Sequence, residues 1–122
     1  MANDPTELHN RRDLASRLRA SDRRTALEFK RRVAAVVSLL ACRVFGSRAR
    51  GEATPDSDLD IFLVVEGIDP DLRRRISEIA WEVGFENEVV LSTFVVTVEQ
   101  LDHGPMGVSP IVRRIEKEGV AV

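Results

Sequence analysis

Several features that would assign the chain to a specialised class of protein are missing or scarce. Cys42 is the single cysteine, so no disulfide framework can form within the chain, and a reducing compartment is its natural setting. No apolar run approaches the roughly 18 residues of a membrane span. The first residues also lack the apolar segment of a signal peptide. We therefore expect a cytoplasmic protein without a membrane partner, in which Cys42 is a buried small hydrophobic residue.

A strong charge of either sign is also missing. The formal net charge is −2 over 122 residues, so there is no global basic field of the kind that holds nucleic acid, and nucleic acid is not an expected partner. Internal repeats and low-complexity tracts are not found. A content of 43% hydrophobic and 31% charged residues is typical of one soluble domain with an apolar core.

Apolar periodicity and turn residues predict the order helix, helix, strand, strand, helix, strand, helix. We interpret residues 1–20 as an N-terminal helical extension and residues 21–122 as a single domain. The helices are predicted over 4–20, 21–40, 69–84 and 109–119, and the strands over 41–45, 58–65 and 88–97, with a short tail strand over 120–122. This order predicts an α/β or α+β domain, in which helices pack against a small mixed β-sheet.

Two carboxylates stand at the start of the second predicted strand. Asp58 and Asp60 are two residues apart, so in a strand they project from the same face, with Cα atoms about 6.5–7 Å apart. Two carboxylates held this close repel each other unless a cation lies between them. Mg²⁺ suits such a pair, because it takes one or two carboxylates together with phosphate and water oxygens. The pair therefore predicts a Mg²⁺ site.

A Gly-Ser turn follows the first predicted strand. Glycine at position 46 lets the backbone approach a phosphate closely, and the N–H groups and hydroxyl at Gly46-Ser47 are suitable phosphate donors. Residues 48–51 are predicted to form one helical turn after it. Arg48 and Arg50 lie nearby, where paired N–H donors can contact phosphate oxygens. The turn and the acid pair together predict a site for a nucleotide and a metal ion.

Residues 46–51 followed by residues 55–60 resemble the signature of the DNA polymerase beta-like nucleotidyltransferase superfamily. They are most similar to the minimal nucleotidyltransferases of prokaryotes, whose pattern is G-S-x-A-R-G, a short gap and then S-D-x-D, and every fixed position is matched. The resemblance implies a nucleotidyltransferase-like fold. It also implies that Asp58 and Asp60 bind Mg²⁺ and act in catalysis, and that Gly46 and Ser47 hold the triphosphate of an NTP, with ATP expected.

The resemblance also implies an activity and a partner. The family moves a nucleoside monophosphate to an acceptor hydroxyl and releases pyrophosphate. Many small members are antitoxins paired with HEPN-domain toxins, and some of them transfer AMP to a tyrosine of the toxin. We therefore expect an antitoxin that modifies a HEPN-domain partner.

The third predicted strand lacks an acid that the superfamily usually has. Relatives carry a third carboxylate on this strand, as general base and further metal ligand, but residues 88–97 contain no aspartate in the middle. Glu88, at the predicted start of the strand, is the catalytic candidate, and Glu86 is a second one. Ser92 stands where the acid is expected. A solvent-facing acid at the end of the strand is the alternative interpretation of Glu88.

Three hypotheses remain open at this point. The first is a Mg²⁺-dependent nucleotidyltransferase that modifies a partner protein. The second is a nucleotide-binding but catalytically weak antitoxin that acts by direct contact, which the missing acid favours. The third is transfer to a small molecule, against which the small size of the chain argues. A general base is typically worth 10²–10⁴-fold in rate, so its loss would leave binding intact and transfer slow.

Selection of an acceptor would require a further surface. A HEPN-domain partner or a homo-oligomer would supply it. Trp81 lies off the main apolar stripe of its predicted helix, and we interpret it either as peripheral core or as part of an exposed partner patch.

Overall fold

A computed structural model describes residues 17–122, so most of the predicted N-terminal helix lies outside the described residues. Five helices and four strands form this part of the chain. The helices are α1 (Ala20–Ala34), α2 (Gly46–Arg50), α3 (Pro70–Asn87), α4 (Val98–His103) and α5 (Pro110–Glu118). The strands are β1 (Leu39–Phe45), β2 (Leu59–Val65), β3 (Leu91–Thr97) and β4 (Val120–Ala121), and a 3₁₀ turn covers Pro105–Val108.

The four strands form one mixed sheet in the order β3-β2-β1-β4. β2 pairs with β3 in parallel, and β1 pairs with both β2 and β4 antiparallel. Every residue of β2 except Asp60 is buried, as expected for a central strand that is covered on both faces. The predicted α/β class, the mixed sheet and the short tail strand are therefore confirmed.

Each face of the sheet carries its own apolar core. On one face, α1 and α3 cover the sheet, and Phe29, Ile61 and Ile76 are among the fully buried residues. On the other face, α5 contributes Val112 to a smaller core around Phe62. Apolar burial at about 25 cal/mol per Å² makes these two cores the main source of stability.

Cys42 belongs to the larger core and is buried, as predicted. Burial raises the pKa of its thiol to about 11, against a smaller opposing effect of the Lys30 charge. The thiol therefore stays protonated at neutral pH and behaves as an apolar group.

Local side chains cap the ends of several helices. The Asp69 side chain accepts a hydrogen bond from the Leu72 backbone N–H at 2.8 Å at the start of α3, and proline follows it. Thr97 and Gln100 form a capping box at the start of α4. Gly119 caps the C-terminal end of α5.

Several predicted boundaries are wrong. The helix predicted over 21–40 ends at Ala34, and the helix predicted to stop at Gly84 continues to Asn87. A Cβ at Gly84 would overlap the Val89 carbonyl oxygen, so this glycine permits close packing inside the helix rather than ending it. The chain reverses at Glu88, whose φ is 56°. The strand predicted to start at Glu88 consequently starts at Leu91.

The predicted division at residue 20 cuts through packed residues. Leu18 is buried in the larger core, and Arg17 lies against Gly51, at the end of α2. The end of the predicted extension therefore packs onto the domain, while the helix predicted for the preceding residues stays a prediction.

Candidate functional site

Strand pairing brings the predicted site residues to one end of the sheet. β1 and β2 are antiparallel, so the end of β1 meets the start of β2, and Phe45 is the partner of Asp60. β2 and β3 are parallel, so their starts lie side by side, and Ser92 is the partner of Asp60 on the other side. The turn that follows Phe45, the acids and Ser92 are thus neighbours, although 46 residues separate Gly46 from Ser92 in the sequence.

Asp60 is an acid in an unfavourable environment. Its side chain is half-buried, and no residue from 17 to 122 donates a hydrogen bond to its carboxylate. Burial raises the pKa of the Asp60 carboxyl, the nearby Asp58 carboxylate raises it further, and the Arg50 guanidinium opposes both effects. The two acids therefore lie close enough to repel each other, and a cation between them would relieve that repulsion.

Gly46 joins the turn to the acid pair. Its φ is 76°, a conformation that glycine adopts at little cost. A Cβ at this position would lie 3.1 Å from the Asp60 Cγ and would overlap the carboxylate. Glycine is therefore required here both for the backbone conformation and for the close approach of Asp60.

Ser47 lies in the first turn of α2, directly after Gly46. α2 has no side chain that caps its N-terminal end, so its leading backbone N–H groups have no capping acceptor. Backbone N–H groups in this position, next to a serine hydroxyl, can donate hydrogen bonds to phosphate oxygens. The predicted triphosphate-binding turn thus lies beside the acid pair.

Arg48 is engaged within the protein. Its side chain is only 8% exposed, and its Nη1 donates to both Asp22 carboxylate oxygens at 3.1 and 3.2 Å. Its Nε donates to the Ser57 carbonyl at 2.9 Å and its Nη2 to the Pro55 carbonyl at 3.3 Å. The sequence predicted a phosphate contact for Arg48. Its guanidinium instead ties α1 to the loop that leads into Asp58.

Arg50 faces the site more openly. Its guanidinium is exposed and donates through Nε to the Glu52 carboxylate at 3.2 Å. Its positive charge lowers the pKa of Asp60, so it acts on the acid pair. Of the two arginines predicted to contact phosphate, Arg50 is the one whose charge reaches the acids.

Glu88 lies away from the place expected for a catalytic acid, whereas Ser92 lies beside Asp60. Glu88 is exposed, lies outside β3 and caps the C-terminal end of α3. Ser92 is exposed, and as the strand partner of Asp60 it lies on the same face of the sheet. Across residues 17–122 there is no group of three or more His, Cys, Asp or Glu that could hold a metal ion, so Asp58 and Asp60 remain a pair.

The comparison with protein families agrees with this geometry. Residues 23–122 match the model of the nucleotidyltransferase domain. The chain belongs to the nucleotidyltransferase domain family. A search of curated proteins gave no match, and neither did a search of solved structures. None of the helices between residues 17 and 122 is long and apolar enough to cross a membrane.

Nucleotidyltransferases of this family typically use an NTP and a divalent metal ion. The acid pair provides carboxylate ligands for the metal ion. The uncapped turn at Gly46-Ser47 and the Arg50 guanidinium provide hydrogen-bond donors for the phosphates of the NTP. Asp22, which pairs with Arg48 and through it helps to hold the loop before Asp58, was not predicted from the sequence. In the sequence, Asp22 is an acid beside arginines on a predicted helix, and such an acid is usually exposed to solvent.

We predict that Asp60→Asn stabilises the metal-free nucleotidyltransferase at neutral pH. Because the folded pKa of Asp60 is raised, its contribution to stability is present below the unfolded pKa and is lost as the pH rises through the folded value. The gain in Tm should therefore be seen at pH 7 and shrink as the pH falls towards the ordinary carboxyl value of 3.8. Mg²⁺ should stabilise the wild type and leave the variant unchanged.

Glu66→Gln is the control for this measurement, because Glu66 is an exposed acid just after the opposite end of β2. It should change Tm little at any pH. A decrease in the metal-free Tm of Asp60→Asn at pH 7 would contradict the account of a repelled acid.

We also predict that the Arg48–Asp22 pair stabilises the fold far more than the exposed Arg50–Glu52 pair. Both pairs join an arginine to a carboxylate, at 3.1 and 3.2 Å, but their side chains are 8% and 8% exposed in the first and 48% and 66% in the second. Asp22→Asn should lower the free energy of unfolding by about 3–5 kcal/mol, because it leaves a buried charge unpaired. Glu52→Gln should lower it by about 0–1 kcal/mol. Equal losses in urea unfolding would contradict the assignment.

Proposed function

We propose that the protein transfers a nucleoside monophosphate, AMP in the first instance, from an NTP to a hydroxyl group of a partner protein. A tyrosine of a HEPN-domain toxin is the acceptor that the sequence resemblance suggests. The observation that carries the proposal is the contact between the Gly46 turn and the repelled Asp58–Asp60 pair. Family membership supports the same type of reaction.

Each site residue has a role in this proposal. Asp58 and Asp60 would hold Mg²⁺, which supplies positive charge to the triphosphate and aligns it for an in-line displacement. The backbone N–H groups of the α2 turn, with the Ser47 hydroxyl, bind terminal phosphate oxygens. Arg50 adds a cation at the edge of the site. The raised pKa of Asp60 suits a cation-binding residue. A carboxylate whose charged form is unfavourable without a cation gains most from a nearby positive charge.

The reaction exchanges one bond at phosphorus for another. The acceptor oxygen bonds to the α-phosphorus, and the bond from that phosphorus to the oxygen bridging towards the β-phosphate breaks. Pyrophosphate leaves, and the proton of the acceptor hydroxyl must pass to a base or to water. Ser92 is neutral at neutral pH and cannot accept this proton as a carboxylate would. We therefore propose slow transfer in which the proton passes to solvent.

A second function has one specific observation in its favour. Since Ser92 faces Asp60 where relatives carry the third acid, the chain would also suit an antitoxin that binds a nucleotide and silences its toxin by contact alone. The Asp58→Asn, Asp60→Asn double variant distinguishes the two functions in a toxin-neutralisation assay. Full neutralisation by the variant supports contact, and loss of neutralisation by a folded variant supports transfer.

We predict that Ser92→Asp accelerates transfer. The new carboxylate would lie beside Asp60 on the neighbouring strand and supply the missing base, so the single-turnover rate should rise by up to roughly 10²–10⁴-fold. Ser92→Asn is the control of matched size without the charge, and it should give no such gain. If Glu88→Gln removed transfer while Ser92→Asp gave no gain, Glu88 would be the base and the assignment of Ser92 would fail.

The most direct test of the function is an intact-mass measurement. The protein encoded by the adjacent reading frame is incubated with ATP, Mg²⁺ and the wild-type chain, and in parallel with Asp58→Asn. The proposal predicts that the partner gains the mass of one AMP or more with the wild type only. No added mass with either chain, although the partner binds, would overturn the transferase proposal.

A further inference from the structure

The C-terminal half of α3 exposes two large aromatic rings. Trp81 and Phe85 are four residues apart, so they share a helix face, and they are 69% and 73% exposed. Their rings stack with centroids 5.3 Å apart and an interplanar angle of 10°. Val90, just before β3, is 65% exposed. Clustered exposed apolar side chains of this size mark interaction surfaces more often than isolated ones do.

These rings border an open groove of about 940 Å³. The groove is lined by the C-terminal half of α3, the turn into β3 and residues 55–57. Asp56 and Ser57 directly precede Asp58, so this groove reaches the loop that leads into the acid pair. A chain bound in the groove would therefore lie next to the candidate site without occupying it.

The groove carries a net negative charge. Three acids line it, namely Asp56, Glu86 and Glu88. Glu86 is paired with Arg32 at 2.8 Å, whereas Asp56 and Glu88 form no ion pair within residues 17–122. The groove thus combines an aromatic platform with two carboxylates that are open to a cationic partner, a combination that suits positively charged side chains.

We propose that this groove, defined by Trp81, Phe85, Asp56 and Glu88, docks a positively charged segment of the acceptor protein. An apolar side chain of the segment packs on the two rings, and its Lys or Arg residues face the two unpaired acids. The inference rests on the proposed function only in naming the acceptor protein as the source of the segment, since the rings and acids of the groove are separate from the acid pair. It also gives Glu88 a role in binding cationic side chains, which suits its exposed position outside β3.

Charge separates this occupant from the alternatives. In a symmetric dimer formed through this face, the same patch would meet itself, so the unpaired acids of both copies would be brought together. Nucleic acid carries the same sign of charge as the groove and would be repelled. A cationic protein segment is therefore the occupant that the surface favours.

The sole tryptophan of the chain provides the assay. Trp81 lies in the groove, so its fluorescence reports occupancy directly. The probes are two synthetic amphipathic helical peptides with the same Leu and Phe residues, one carrying Lys on its polar face and its twin carrying Glu. Both are titrated without nucleotide or metal ion. We expect a saturable change in Trp81 emission with the Lys peptide only, and an affinity that falls by about tenfold or more between low and high salt.

Variants separate specific docking from general attraction. The affinity for the Lys peptide should fall by about tenfold in the double variant Asp56→Asn, Glu88→Gln. It should fall by a similar factor in Phe85→Ala. Ile111→Ala is the matched apolar control, since Ile111 is 53% exposed on α5, and Glu66→Gln is the acidic control. Both controls should leave the affinity unchanged.

Three outcomes would overturn the proposal. They are equal binding of the Glu peptide, unchanged binding by the groove variants, and self-association in sedimentation that Phe85→Ala abolishes. Asp58→Asn distinguishes this proposal from the transferase proposal, because it should keep peptide binding and lose transfer. If the groove variants modify the acceptor protein as fast as the wild type at limiting acceptor concentration, the groove is not its docking site.

Discussion

The pairing of β2 with both of its neighbours decides what stands next to Asp60. On one side the antiparallel partner ends at Phe45 and leaves the sheet through the Gly46 turn, and on the other the parallel partner contributes Ser92. A shift of either register by one residue would turn a different side chain towards Asp60. Burial on both faces of β2 helps to fix that register, because a slip by one residue would move the Asp60 carboxylate to the opposite face and into a place that a buried apolar side chain occupies. The apolar cores therefore set the geometry of a polar site.

The environment of the acids costs the folded protein stability. Asp60 is the one residue of β2 that is not buried, and its carboxylate has a raised pKa beside Asp58. Such a strained charge is common where a protein binds a ligand of opposite sign. Arg48 and Asp22 instead stabilise this region, because their buried ion pair holds the loop before Asp58 in one position. The repelled acid pair thus directly follows a loop that the Arg48–Asp22 ion pair stabilises.

Local patterns predicted the parts of the site that depend on adjacent residues. The turn at Gly46 and the same-face acids each require only a few neighbours in sequence. The partner of Arg48 could not be predicted, because Asp22 is 26 residues away and only packing brings them together. The place of Glu88 was predicted wrongly because Gly84, usually a helix stop, serves close packing instead. The groove beside Trp81 depends on the packing of residues 77–93 beside residues 55–57, and no local pattern could reveal it.

We propose that Asp58, Asp60 and the Gly46 turn form one site for a nucleotide and a divalent cation. Calorimetric titration of a non-hydrolysable ATP analogue, with and without Mg²⁺, into the wild type and Asp60→Asn tests it without any acceptor. The account predicts saturable binding by the wild type that requires Mg²⁺, and binding by the variant that is weak and indifferent to Mg²⁺. Equal affinities for the two proteins, or wild-type binding that ignores Mg²⁺, would contradict it.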